Sequence, residues 1–207
     1  MPTTRIYLTR HADVENPDHI LYGYLPTFRL SALGRAQARE VGRTLRDAGI
    51  VRIVHSPLRR ARETARLIRD QLEPQPELVP AADLREAEFS RYLQGVPYWQ
   101  VPFRRPLWVV HKTRRGTLPG DESFGELGGR VLDVIYQQTR EHPGEPVALV
   151  SHADPIQAAW ILLDGAPQKE SEMLRHAVAK GGRLEVDMEG TRLLSIRYVE
   201  PPKVTID

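Results

Sequence analysis

Ile6-Tyr7-Leu8-Thr9-Arg10-His11-Ala12-Asp13 carries an apolar, β-branched run into an arginine and a histidine, and about 140 residues later Val147-Ala148-Leu149-Val150-Ser151-His152-Ala153-Asp154 again ends an apolar run in a histidine. A short continuous apolar run is the pattern of a strand covered on both faces. Open α/β sheets bind ligands outside the carboxyl ends of their strands. A histidine closing each of two such strands therefore predicts one site assembled from distant segments.

Working outward, Ser31 is expected to cap a helix in which Leu33, Ala36, Val41 and Leu45 recur at helical spacing, and Gly49 ends it. Val51 to His55 reads as a second strand. Ser56 follows as an expected N-cap, with Pro57 at the first helical position and Leu58, Ala61, Ala65, Ile68 and Leu72 as the buried stripe. A short third strand is expected within 77–84. From about Glu86 to Gly120 the periodicity fails, and Pro97, Pro102, Pro106 and Pro119 interrupt an aromatic and basic stretch, which reads as an insertion or lid. A long helix follows from about Glu122 to Glu141, stopped by His142-Pro143-Gly144. After the strand Val147–Ser151, Asp154 can cap and Pro155 can begin a helix carrying Ile156, Ala159, Trp160 and Leu163. Arg183–Asp187 and Leu193–Tyr198 alternate around Glu189-Gly190 as a hairpin. The expectation is an α/β fold: a three-layer α/β/α sandwich with a mainly parallel sheet and an antiparallel edge strand. It is read as one domain over residues 1–207, with a small inserted lid at about 87–121.

The 207 residues are 41% hydrophobic and 27% charged, the balance of a globular domain large enough to bury a full core. No apolar run approaches the ~18 residues of a membrane span, and no signal-peptide core precedes the first strand, so a cytoplasmic location without membrane contact is expected. The absence of cysteine excludes disulfides, a cysteine nucleophile and cysteine-ligated zinc. A net charge of +2 argues against a nucleic-acid partner. Lys112, Lys169, Lys180 and Lys203 are the only lysines among 29 basic residues, leaving 25 arginines, the side chain whose planar fork suits phosphate and carboxylate. Composition or habitat explains most of them. The sequence does not fix the oligomeric state, a homodimer included.

Four places carry potential chemistry. At Arg10-His11 a neutral imidazole can attack phosphorus while the neighbouring guanidinium holds phosphate oxygens and opposes protonation of the ring; the plainer reading is a strand-end histidine bonded to backbone. The segment Ser56-Pro57-Leu58-Arg59-Arg60-Ala61-Arg62-Glu63-Thr64-Ala65 directs a helix start and arginines at an anion. A solvated basic face accounts equally for Arg59, Arg62 and Arg66. His152 precedes another helix start, where an imidazole can stabilise the oxygens of a transferring phosphoryl group. Glu86, entering the insertion, is placed to protonate a leaving oxygen, although alone it passes for a surface carboxylate. A rival reading takes His11, Asp13, His152 and Asp154 as ligands of a phosphoesterase metal.

Together these segments resemble the histidine phosphatase superfamily, which includes cofactor-dependent phosphoglycerate mutase. Arg10-His11-Ala12-Asp13 is similar to its Arg-His-Gly-Glu, and Leu30 to Ala38 to its Leu-Thr-x-x-Gly-x-x-Gln-Ala. Ser56 to Ala65 fits Ser-x-Leu-x-Arg-Ala-x-x-Thr-Ala, Leu84-Arg85-Glu86 fits Leu-x-Glu, and Val150-Ser151-His152-Ala153 fits Val-Ser-His-Gly. The resemblance implies that His11 becomes a phosphohistidine, that Arg10, Arg60 and His152 hold the phosphoryl group, and that Glu86 protonates the leaving alcohol and then helps water attack. It implies no metal and no cofactor, since arginine and imidazole supply the positive charge.

Alanine stands where the family has glycine after both histidines, and the family's asparagine falls one place early, as Asn16, a weaker substrate contact. Asp121-Glu122-Ser123 partly keeps the family's Gly-Glu-Ser. The implied activity is hydrolysis of a small phosphorylated metabolite. The alternatives are mutase-type transfer, the metal-dependent phosphoesterase, or a catalytically silent phosphate-binding domain. The insertion's Arg104, Arg105, His111, Lys112, Arg114 and Arg115 form either a second anion site or a solvated lid.

Overall fold

Strand β1 (Thr4–Arg10) is the axis of the molecule because it and one parallel neighbour carry the two histidines to the same end of the sheet. In the computed structural model, which describes residues 2–204, six strands run in the order β3-β2-β4-β1-β5-β6. The remaining strands are β2 (Arg52–His55), β3 (Glu77–Pro80), β4 (Val147–Ser151), β5 (Arg183–Glu189) and β6 (Arg192–Val199). Strands β3, β2, β4 and β1 are mutually parallel; β5 and β6 are antiparallel to their neighbours. The antiparallel edge is thus two strands wide, where one was expected, because the hairpin pairs along its length and β5 also pairs with β1.

The helices are α1 (Ala32–Thr44), α2 (Arg59–Arg69), α3 (Ser90–Leu93), α4 (Val101–Arg104), α5 (Leu107–Thr113), α6 (Phe124–Glu141), α7 (Ala153–Leu163) and α8 (Glu170–Arg175). Side chains alternate across a strand. Ile6 and Leu8 accordingly pack with Val131, Val134 and Ile135 of α6 and Ile156 and Ala159 of α7. Tyr7, between them, packs with Val41 of α1 and Ala61, Ala65 and Ile68 of α2 on the other face. The three-layer sandwich follows from this alternation. Ile6, Leu8 and Leu149 are fully buried, each stabilising the fold by about 1.5–3 kcal/mol relative to exposure.

Several expected boundaries move. Helix α2 starts at Arg59 with Leu58 in the cap position, so Ser56 and Pro57 lie outside it. Helix α7 starts at Ala153 with His152 in the cap position, which places Asp154 and Pro155 inside the first turn. Helix α6 starts at Phe124; Ser123 caps it and exchanges a reciprocal pair of bonds with Glu126. The third strand stops at Pro80, and a single 3-10 turn over Ala82–Leu84 bends the chain back over the sheet edge. The 87–121 segment is not wholly irregular: it contains α3, α4 and α5, too short to show periodicity. It is tied to the 19–25 loop by backbone bonds from Leu21 to Val96, Gly95 to Leu21 and Tyr98 to His19. Among the described residues no helix is long and apolar enough to cross a membrane.

Candidate active site

The parallel pairing of β1 with β4 sets Arg10 opposite Ser151, so His11 and His152 leave the sheet side by side, their ring centroids 5.2 Å apart. Both are buried. His11 Nδ1 lies 2.8 Å from its neighbour's carbonyl, Ala12 O. A carbonyl only accepts, so Nδ1 carries the proton and Nε2 carries the lone pair. Arg60, on the first turn of α2, donates its Nε–H to that Nε2 at 3.2 Å. His55 makes the same backbone contact, Nδ1 to Ser56 O at 2.9 Å, and is the strand-end histidine of the plainer reading. The guanidinium distinguishes His11 from it.

The loop after His11 is held from below. Ser31 caps α1 by accepting from Gly34 N and donates to Asp13 Oδ2 at 2.6 Å. A Cβ on Gly34 would lie 1.9 Å from Asp13 O, so only glycine lets α1 approach this loop. Asp13 also accepts from Lys180 at 2.7 Å. The aspartates of the two His-x-Asp segments have other partners, Asp13 being bonded to Ser31 and Lys180 and Asp154 pairing with Arg115 at 3.5 Å, and among the described residues no group of three or more His, Asp or Glu side chains is placed to hold a metal ion.

Ser56 has a different role from the expected helix cap. Its Oγ accepts from Leu58 N at 3.3 Å, leaving its hydrogen for His152 Nε2 at 2.7 Å. His152 Nε2 is therefore the acceptor nitrogen, and Nδ1 presents N–H to the site. Among the described residues no hydrogen-bond acceptor meets that buried Nδ1, nor the buried Arg60 Nη2, nor Arg10 Nε. Three unsatisfied donors beside one imidazole lone pair form a cradle for an anion, since buried donors are otherwise almost always paired. Arg10 is fixed there by donating Nη1 to Val178 O at 2.7 Å.

Glu86 stands at the rim, its Oε2 3.7 Å from Arg60 Nη2 and 3.8 Å from His152 Nδ1. Far from being a surface carboxylate, it has a side chain only 15% exposed. Arg130 of α6 holds its segment, donating to the carbonyls of Asp83, Arg85 and Glu86 and, through Nε, to Glu122 Oε1 at 2.7 Å. Tyr24 Oη donates to Glu86 O as well.

Burial, with Arg60 and Arg10 nearby, holds His11 well below the usual histidine range; burial and Arg60 do the same to His152. Both rings are neutral at physiological pH. Burial first, and the Asp154 carboxylate second, push Glu86 up to about 7, against the opposing pull of Arg60. A nucleophile that stays unprotonated beside a carboxyl poised to give or take a proton is the pairing that acid–base chemistry needs.

Asn16 is not aimed at the cradle by its bonds: its amide donates to Ile20 O and accepts from Ile20 N. Asp121 pairs with His111 Nδ1 at 2.7 Å, and Ser123 caps α6, so two residues of that segment are structural. A cleft of about 190 Å³ opens from the cradle, lined by Arg10, Tyr22, Glu86, Phe89, Tyr98 and Asp154 among others. Of the insertion's basic residues His111 lines it, whereas Lys112 and Arg115 pair with Glu170. Tyr22, Tyr24 and Arg130 carry no local sequence signal of their roles.

The profile of the histidine phosphatase superfamily (branch 1) matches residues 6–198. An uncharacterized protein of Mycobacterium tuberculosis is 32% identical over 202 residues, covering 96% of both chains. A putative phosphoserine phosphatase 2 of Hydrogenobacter thermophilus is 31% identical, covering 91% of each. The solved structure of the mycobacterial glucosyl-3-phosphoglycerate phosphatase superposes with a TM-score of 0.77 at 22% identity, over 97% of this chain and all of that one, a likeness of fold.

Proposed function

This chain belongs to the histidine phosphatase superfamily, and from that premise we propose that it is a metal-independent phosphomonoesterase working through a phosphohistidine at His11. The observation that carries the reading is the cradle: Arg10 Nε, Arg60 Nη2 and His152 Nδ1 are buried without acceptors beside the Nε2 lone pair of His11. A phosphoryl group supplies the missing acceptors, and its transfer spreads charge over the oxygens that these donors would meet.

In the first step His11 Nε2 bonds to phosphorus and the ester P–O bond breaks. The departing alcohol oxygen takes the proton of Glu86. In the second step water attacks phosphorus as the N–P bond breaks, the Glu86 carboxylate accepts the water proton, and orthophosphate leaves with His11 restored. Each half returns what the other consumed. Hydrolysis requires only that water follow the alcohol out of the cleft, whereas a mutase must retain a second phosphorylated substrate.

Hydrolysis of p-nitrophenyl phosphate by wild type and His11→Ala, each after exhaustive chelation, tests the reading. Wild type is expected to turn over after chelation and to carry an acid-labile phosphoryl label when quenched, with His11→Ala slower by at least about a thousandfold. Equal activity in the two proteins, or activity restored only by a divalent metal, would overturn it.

A further inference from the structure

Beyond the phosphoryl cradle, the cleft has walls of one polarity. Phe89, Tyr22 and Tyr98 supply aromatic surface. Between them the polar groups are acceptors or neutral hydroxyls. His111 gives its Nδ1–H to Asp121, which leaves Nε2 as an acceptor. Burial and Arg115 hold His111 below the usual histidine range, so the ring is neutral. The Ser90 hydroxyl is buried without a partner. Asp154, in the first turn of α7 two residues beyond His152, brings a carboxylate to the same wall and is 37% exposed.

The cation paired with Asp154 is itself buried. Arg115 approaches it at 3.5 Å but is only 3% exposed, and it also faces Glu170 at 3.3 Å, which Lys112 shares. The charges of these two cations and two anions balance, although Arg115 Nη1 and Nη2 are buried without hydrogen-bond partners among the described residues, and the member of the group that lines the cleft is the Asp154 carboxylate. A second anion on the substrate would therefore meet Asp154 and an acceptor imidazole, since Arg10, the cation on this lining, is committed to the phosphoryl group and Arg115 is buried beside the Asp154 carboxylate. An ammonium would meet a carboxylate, a ring nitrogen, a hydroxyl and aromatic faces, the set that recognises an amine.

We propose that the alcohol half of the cleft selects phosphomonoesters whose leaving group carries an ammonium, and that Asp154 is the residue that sets this preference. The proposal rests on the phosphatase reading for the cradle and assigns what lies beyond it. It places the substrate among phosphorylated amino alcohols, and sets it apart from esters bearing a second carboxylate or phosphate.

Three esters of similar size separate the possibilities: O-phosphoethanolamine, propyl phosphate and phosphoglycolate, which end in ammonium, methyl and carboxylate. For the wild-type protein kcat/KM is expected to fall in that order, with about tenfold or more between the first and last. In Asp154→Asn that ratio is expected to collapse toward one. Calorimetric binding of the same esters to His11→Ala reads the same ranking without turnover. A protein that hydrolyses none of them, nor p-nitrophenyl phosphate, would count against the phosphatase reading, while the binding series still decides selectivity. Phosphoglycolate bound or hydrolysed as well as phosphoethanolamine, propyl phosphate equal to phosphoethanolamine, or a ratio unchanged in Asp154→Asn would each overturn the proposal.

Discussion

Arg60 donates its Nε–H to Nε2 of His11 at 3.2 Å, so the guanidinium covers the lone pair that the proposed reaction uses. Burial first, and the neighbouring guanidinium second, keep that nitrogen unprotonated, because a proton there would be poorly solvated and would face a fixed positive charge. An arriving phosphoryl group offers the guanidinium a better acceptor than an imidazole nitrogen and thereby uncovers the nucleophile.

Glu86 gives the pH profile its sign. With its pKa pushed up to about 7, the carboxyl is protonated below that point and able to serve the leaving alcohol; above it, the proton is lost. For an alkyl phosphate, kcat/KM is expected to decline as pH rises through about 7. In Glu86→Gln this limb should vanish, with the rate reduced by about a hundredfold to ten-thousandfold. p-Nitrophenyl phosphate, whose leaving group needs little protonation, should lose much less. Steady-state profiles with the two substrates check this, and equal losses on both would contradict the role of Glu86 as acid.

Arg130 gathers the carbonyls of Asp83, Arg85 and Glu86 and pairs with Glu122, which in turn accepts from Glu88 N. Arg130→Met should therefore misplace the Glu86 carboxyl without touching the cradle. The expected result is about a tenfold or greater fall in kcat on alkyl phosphates with a much smaller fall on p-nitrophenyl phosphate, and little further loss when combined with Glu86→Gln. Additive losses in the double variant would show that Arg130 acts elsewhere.

Ser56 fixes which nitrogen of His152 bears hydrogen. Ser56→Ala frees Nε2, lets the ring adopt the other tautomer, and turns a lone pair toward the anion. An approximately tenfold loss in orthophosphate affinity is the expected outcome, recovered in part by Ser56→Thr, which keeps the hydroxyl. Nitrogen-15 imidazole shifts identify the tautomer directly; an unchanged His152 spectrum would remove the assignment.

The two buried histidines also set an acid limit on stability. Their folded pKa values are depressed, whereas in the unfolded chain each ring binds a proton near the reference value of 6.5. Protons therefore favour the unfolded state as pH drops. Stability present above about pH 6.5 is lost below it, by up to about 1.4 kcal/mol per histidine per pH unit. Thermal denaturation between about pH 7.5 and pH 5.5 should show the fall, and His152→Asn should flatten its slope. Millimolar orthophosphate, which binds only the folded cradle, should raise Tm across the range.

The sequence by itself determined the parallel strands, because buried strands must be apolar on both faces, and the helices α1, α2, α6 and α7, whose stripes are long enough to repeat. It also placed His11 and His152 at strand ends, and the order of five short segments identified the superfamily. What it misread were side chains with two plausible partners. Ser56 before Pro57 is a good local cap signal, yet its hydroxyl serves His152, 96 residues away. Glu86, by contrast, is the proton donor that the resemblance implies, but its burial is set by the tertiary structure, where Arg130 and Tyr24 bond its backbone carbonyl. Asp154 looks like a cap or a metal ligand, and only the packed fold sets it on the lining of the cleft with Arg115 as its ion-pair partner. The reason is physical: periodicity records which face of an element is buried, whereas hydrogen-bond partners and pKa values depend on distances between elements far apart in the chain, which the packed fold alone decides.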